Sequence, residues 1–270
     1  TEYTYRSAHF MEVAKTGQVI WDNSARYEDV NTTYPEPFAE VSAQGEDVAR
    51  PGRPERPLLV PPKLLPKRSL LQEEGRAALL HAIAHIEFNA IDLACDAVQR
   101  FPDMPAGFYT DWISVAADEA RHFRLLQNRL SGMGYAYGDF AAHDGLWEMA
   151  LRTRDDCLAR MALVPRVLEA RGLDVTPGMI AKFEQTGDGD SIAVLEIILR
   201  EEVSHVAIGT RWFNFCCQAR GCDPETTFLD LLQDVGRGAL RGPYNAEARR
   251  LAGFTPDEMR GITALANNAV

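Results

Sequence analysis

Two short stretches carry the residues best suited to chemistry, and they spell the same pattern. Asp118-Glu119-Ala120-Arg121-His122 and Glu201-Glu202-Val203-Ser204-His205 each give Glu-x-x-His, with a further acid just before the Glu. On a helix, residues three apart share a face, so Glu119 points with His122 and Glu202 with His205. Two such helices packed face to face would aim two carboxylates and two imidazoles at one point. That is the larger part of a dimetal site inside a helical bundle, where two helices each give Glu-x-x-His and two others each give one Glu. Two divalent ions about 3.5–4 Å apart need several anionic oxygens to offset their charge. One copy of so short a pattern arises often by chance. Two copies, each in an apolar helix and each preceded by an acid, do so far less often. The bland alternative makes Glu119 or Glu202 an exposed helix residue with Arg121 or Arg200 as its surface partner.

Two more carboxylates are needed. Glu87 is the best third, because it sits among Ile83, Ile86, Ala90 and Ile91, where an unpaired acid would be costly. Glu169, flanked by Val167 and Leu168, is preferred as the fourth, with Asp155 and Asp156 as rivals nearer the middle of the same predicted helix. Asp118 lies four residues before His122, and Glu201 four before His205. That spacing predicts that each acid accepts from the outer nitrogen of the imidazole on its own helix, orienting it for a metal. His81 and His85 form another i, i+4 pair. The preferred reading keeps His85 as a supporting or core histidine and turns His81 to solvent. Trp112, Trp147, Trp212, Phe123 and Phe215 read as core. Gly209, two turns beyond Glu202, either eases close packing or opens a pocket beside the ions.

The elements that must position these residues are helices. Prolines at 35, 37, 51, 54, 57, 61, 62 and 66 make residues 1–68 an extended arm, broken at most by a short helix over 7–13. A first long helix is expected from about Glu73 to Phe101, stopped by Pro102 and Pro105, and a second from about Gly107 to Leu130. The short connection makes them an antiparallel hairpin, with Glu87 and Glu119 at one height. Met133 to His143 reads as a crossover. A third helix is expected from about Asp144 to Arg171, kinked or broken at Pro165 and capped by Gly172, followed by a short helix from Thr176-Pro177 to about Gln185. A fourth should start from an N-cap at Asp190 or Ser191 and end at Gly221. Residues 224–270 hold two or three shorter helices, and no strand is expected. The boundaries are then 1–68 for the arm, 69–222 for the bundle and 223–270 for a C-terminal extension packed on it.

A net charge of -11 argues against a broad phosphate-binding surface, so RNA contact would need a local basic patch. No apolar run reaches membrane-spanning length, and Thr1 to Tyr34 has no leader-like core. The five cysteines are odd in number, lie mostly in apolar helical patterns and include no Cys-x-x-Cys, so they read as reduced core thiols of a cytoplasmic protein.

At these residues the chain resembles the ferritin-like superfamily. The runs Leu80 to Glu87, Asp118 to His122, Arg166 to Asp174 and Glu202 to His205 look like its uncharacterised DUF455 family. The likeness covers most of residues 50–265, including the proline-rich lead-in and Asn245 to Arg249, and leaves out the first 45 or so. It implies an all-α, ferritin-like four-helix bundle with an extended N-terminal arm and extra C-terminal helices. It also implies two iron ions and supports Glu169 as the fourth carboxylate. The implied ligands are Glu87, Glu119, His122, Glu169, Glu202 and His205, with Asp118, Glu201 and His85 behind them. Asp118 to His122 is similar to the Asp-Glu-x-Arg-His motif of bacterial di-iron monooxygenases, and the overall pattern is similar to MiaE-type tRNA hydroxylases.

The expected function is a non-haem di-iron carboxylate enzyme (Fe/Fe or Mn/Fe) that activates O2 to hydroxylate or oxidise a small organic or RNA-linked substrate. Iron storage or peroxide detoxification without an organic substrate is the alternative. A metal-stabilised scaffold for tRNA or a protein partner is a third reading, and tRNA is not the favoured partner. No ferredoxin-type cysteine set or nucleotide-binding glycine motif is present, so electrons should come from an external donor or the substrate. A homodimer away from membranes is expected.

Overall fold

Two prolines fix where the longest hairpin turns. In the computed structural model, which describes residues 51–66, 68–233 and 240–267, α1 spans Glu73–Arg100 and α2 spans Ala106–Gly132. Pro105 is the N-cap of α2, where a missing N–H costs nothing. The two helices pack along each other. The described residues are all-helical, and their only sheet-like pairing is an isolated bridge between Leu59 and Ala142.

The third predicted helix comes out differently. It is divided into α3, Gly145–Arg152, and α4, Cys157–Leu163, which continues as a π-helical segment, Val164–Glu169, into α5, Ala170–Glu184. The break has a local cause. Thr153 Oγ1 donates back to Met149 O at 2.9 Å, and Asp156 restarts the chain by accepting from Leu158 N at 2.9 Å. Pro165 then cannot donate to the carbonyl four residues earlier, and the chain answers with a wider turn instead of a stop. Gly172 and Pro177 stay inside α5, so neither ends nor begins a helix.

Helix α6 spans Gly189–Arg220. Its N-cap is Asp188, not Asp190 or Ser191: the Asp188 carboxylate accepts from Ser191 N at 3.1 Å and from Arg129 at 2.8 Å. Gly221 closes it in the left-handed conformation, φ 66°. Among the described residues three shorter helices follow: α7, Pro224–Gln233; α8, Ala246–Leu251; and α9, Pro256–Asn267.

The expected helix over 7–13 and most of the arm lie outside the described residues. The part that is described runs along the crossover. Val60 N donates to Ala142 O at 2.8 Å, Ala142 N donates to Leu58 O at 3.0 Å, and Arg53 reaches Asn89 and Asp144.

By length and composition α1 is apolar enough to cross a membrane, which the sequence reading did not allow for; yet 72% of its most apolar window is buried inside the protein. It is a core helix packed mainly along α2. Two apolar clusters divide that core. One contains Leu80, Phe88, Ile91, Phe123, Leu126 and Leu195; the other contains Leu93, Trp112, Val115, Trp147, Val206 and Phe213. Glu119, Glu202 and His205 fall between them along α2 and α6, so a polar layer separates the two apolar clusters.

A candidate metal centre

The polar layer is built from α1, α2, the π segment and α6. Glu87, Glu119, His122, Glu169, Glu202 and His205 are all buried. His122 Nδ1 lies 3.0 Å from Glu87 Oε2 and 3.5 Å from Glu119 Oε2. His205 Nδ1 lies 2.9 Å from Glu119 Oε1 and 3.3 Å from Glu202 Oε2. Two trios result, Glu87–Glu119–His122 and Glu119–Glu202–His205, each with ligand atoms within 4.8 Å of one another. Glu119 belongs to both, offering one carboxylate oxygen to each side.

Glu169 is outside the tight trios but faces them, and the charges of Glu202 and Glu119 act on it. The wide π turn ahead of it shifts the register by which it enters the interior. Pro165, at the start of that turn, packs on Gly209 of α6. A Cβ at Gly209 would lie 2.4 Å from the Pro165 ring, so this glycine serves close packing and opens no pocket. The rivals for Glu169 are occupied elsewhere. Asp155 is 89% exposed beside Arg154, and Asp156 caps α4 and pairs with Arg220.

Four buried carboxylates facing two imidazoles cannot all be charged. Burial first, and the neighbouring Glu119 charge second, push Glu87 well above the ordinary glutamate range. Burial and Glu202 do the same to Glu169, and burial and Glu119 to Glu202. Burial alone would raise Glu119 too, but His205 and the hydrogen bonds around it outweigh that and hold it ionised. Burial opposes protonation of His122, yet the Glu119 and Glu87 carboxylates beside its Nδ1 lift it to about 11. His205 is likewise raised, by Glu119 and Asp118 against burial. Protons therefore hold the cluster together, and a buried oxygen of Glu119 and one of Glu169 have no hydrogen-bond partner. Cations would satisfy both deficits by displacing those protons, so this donor set fits two divalent ions.

The acids behind the histidines are arranged otherwise than their spacing suggests. Asp118 does not accept from His122, nor Glu201 from His205. His122 Nε2 lies 2.7 Å from Glu201 Oε2, and His205 Nε2 lies 3.4 Å from Asp118 Oδ2. The pairing is crossed between helices. With each Nδ1 turned inward, each Nε2 points across the gap toward the other helix. Arg121 joins the two acids, 2.9 Å from Asp118 and 2.5 Å from Glu201. From spacing alone Arg121 is expected only as a surface partner of an exposed Glu119. It is 45% exposed, but it clamps both outer acids. Its position three after Asp118 was the available signal.

His85 is not brought to the six. Its Nδ1 pairs with Tyr137 Oη at 2.8 Å, and burial lowers it to about 3, so it is neutral. His81 is buried, not solvent-facing, because its Nε2 accepts from Gly138 N at 2.9 Å. Trp112, Trp147, Trp212 and Phe123 are core, whereas Phe215 is 37% exposed.

The family model described as "Protein of unknown function (DUF455)" matches residues 11–260, beginning well before the residue 50 from which the resemblance could be read. An "Uncharacterized protein" of Haemophilus influenzae is 48% identical over 234 residues, covering 84% of this chain and 80% of its own length. No solved structure matches the chain. A match across nearly the whole chain, joined to a relative at that identity, is decisive: the chain belongs to the DUF455 family.

Proposed function

We propose that this protein is a non-haem dimetal carboxylate oxidoreductase built on a ferritin-like four-helix arrangement, with α1, α2, the α4–α5 rod and α6 as the four helices. The observation that carries the reading is the sharing of Glu119 by both trios, one oxygen toward His122 and the other toward His205. Glu87 and His122 would hold one ion, Glu202 and His205 the other, with Glu119 between them and Glu169 completing the set. Bound iron, or a manganese and iron pair, would supply the electrons that reduce O2 and the oxidising power directed at a C–H or N–H bond of a small organic or RNA-linked substrate.

The chain's own contribution is positional. The two apolar clusters bracket the buried part of the polar layer and would keep bulk water from the ions. Glu201 and Asp118 set the orientation of the imidazoles, and Arg121 fixes the acids in turn. Electrons for repeated turnover would come from an external donor.

The test is anaerobic loading with ferrous iron or manganese, then metal analysis and an oxygen electrode. About two ions per chain followed by O2 consumption supports the reading. Failure to retain stoichiometric metal defeats it. Retention without O2 consumption leaves a metal-bound protein and removes the oxidase or oxygenase activity.

A further inference from the structure

Away from the polar layer, four of the five cysteines gather where α4 begins and α6 ends. They form two neighbouring pairs. Cys157 is the first residue of α4, and Cys216 lies four residues before the last residue of α6. Both pack into one apolar cluster and act on each other, and the Asp156–Arg220 pair, one residue before Cys157 and one turn after Cys216, holds the two helix ends together. Cys217 and Cys222 make the second pair, around the α6 C-cap, where Cys222 Sγ donates to Cys217 O at 3.6 Å. All are free thiols.

The first pair differs from an ordinary pair of packed core thiols in three ways. It joins two separate helices, whereas the second pair closes only the end of one. Cys216 is 6% exposed, whereas Cys157 is half-buried. Both are flanked by one bidentate ion pair, Asp156 with Arg220 at 2.6 and 3.0 Å, which spans the same two helices just outside them. Such a surface pair holds weakly and can open to admit a small molecule. The thiols are also unequal. The hydrogen bond from Cys157 draws Cys216 below the ordinary thiol range, with Arg220 acting in the same direction, while that hydrogen bond and burial push Cys157 up. Burial pushes Cys217 up to about 12.

We propose that Cys157 and Cys216 form a redox-active dithiol that hydrogen peroxide converts into a disulfide joining α4 to α6, and that a thiol reductant reopens. The thiolate of Cys216 attacks the peroxide; its S–O bond forms as the O–O bond breaks, and the departing hydroxide takes up the proton that the Cys216 thiol released, leaving a sulfenic acid and water. The sulfur of Cys157 then attacks Cys216, the S–S bond forms and the S–O bond breaks. The Cys157 proton leaves with the departing hydroxide as a second water. Two thiols and one peroxide thus give one disulfide and two waters, with two electrons passing from sulfur to oxygen. The inference is independent of the proposed metal chemistry. The new bond would nevertheless tie the rod bearing Glu169 to the rod bearing Glu202 and His205, about 16–21 Å along the helices from those residues.

The experiment uses the reduced full chain, freed of reductant, treated with a few equivalents of hydrogen peroxide and blocked with an alkylating reagent. Peptide mapping should then find Cys157 joined to Cys216, with the bond lost on adding dithiothreitol. Cys157→Ser should leave Cys216 as a sulfenic acid that dimedone traps, and Cys95→Ser should change nothing. The proposal is overturned if both thiols of the native chain stay alkylatable under peroxide, or if Cys217 and Cys222 become linked while Cys157 and Cys216 do not. The unmodified chain decides the matter, so misfolding of a variant would not hide the answer.

Discussion

His122 is anchored by an acid from the opposite helix: its Nε2 lies 2.7 Å from Glu201 Oε2, while Asp118, one turn back on its own helix, turns to His205. Outer partners of metal-bound histidines govern affinity by about 10–100-fold. Glu201→Gln is therefore expected to weaken metal binding by about that factor, and to disturb the His122 imidazole more than that of His205. Nitrogen-detected NMR of the two rings checks it. A disturbance confined to His205 would restore the same-helix pairing and defeat the crossed one.

Glu119 and Glu87 should differ in kind. Glu119 serves both trios, whereas Glu87 serves one. Glu119→Ala is expected to abolish retention of both ions, and Glu87→Ala to leave about one per chain, the number of trios it spares. Elemental analysis after gel filtration reads this directly. Equal losses in the two variants would mean that Glu119 is not shared.

Metal binding should release protons and strengthen with pH. His122 is lifted to about 11, and burial pushes Glu87 and Glu202 up, so the metal-free cluster binds protons that an ion must displace. Apparent affinity is expected to rise from pH 6 toward 8. Calorimetry in buffers of different ionisation enthalpy counts the protons released. A count of zero, with affinity independent of pH, would contradict the assigned protonation.

Gly209→Ala would place a methyl 2.4 Å from the Pro165 ring. A loss of about 1–3 kcal/mol is expected from overpacking, read as a lower denaturant midpoint. Pro165→Ala in the same chain should recover part of it, because the two residues meet. Strictly additive losses would show that the contact is not the cause.

Asp92 gives a pH signature unrelated to metal. Burial raises it to about 8, with Arg53 opposing and Asp144 and Asp96 adding to the rise. Its folded value lies above the unfolded one of about 3.9, so the folded chain binds the extra proton between them, and its stability falls as pH rises from about 4 to about 8. In Asp92→Asn the amide stays neutral. The variant's melting temperature should gain on the parent's as pH rises through that window, and parallel curves would refute the shift.

Much of the site was legible because helical periodicity is a local property. Glu119 with His122 and Glu202 with His205 follow from spacing alone, and Glu87 from the apolar residues around it. Glu169 was distinguishable from Asp155 and Asp156 only by its flanking residues and a resemblance. The structure separates them by burial, since Asp155 is exposed and Asp156 is a cap. The third helix was misread at its middle because Thr153 and Asp156 act through local hydrogen bonds that a smooth apolar pattern hides. Pro165 was expected to kink or break the helix, and it sits instead in a π turn accommodated by a glycine 44 positions later in the chain.

From its residues alone the chain determined an all-helical body, the turn of its main hairpin, and which acids and histidines must share a helix face. Those follow from chain geometry repeated every few residues. Only the packed molecule decided which acid faces which histidine, that Arg121 clamps the two acids together, and that His81 is buried. Those outcomes depend on the rotation of one helix against another, which distant side chains settle jointly and no local spacing encodes.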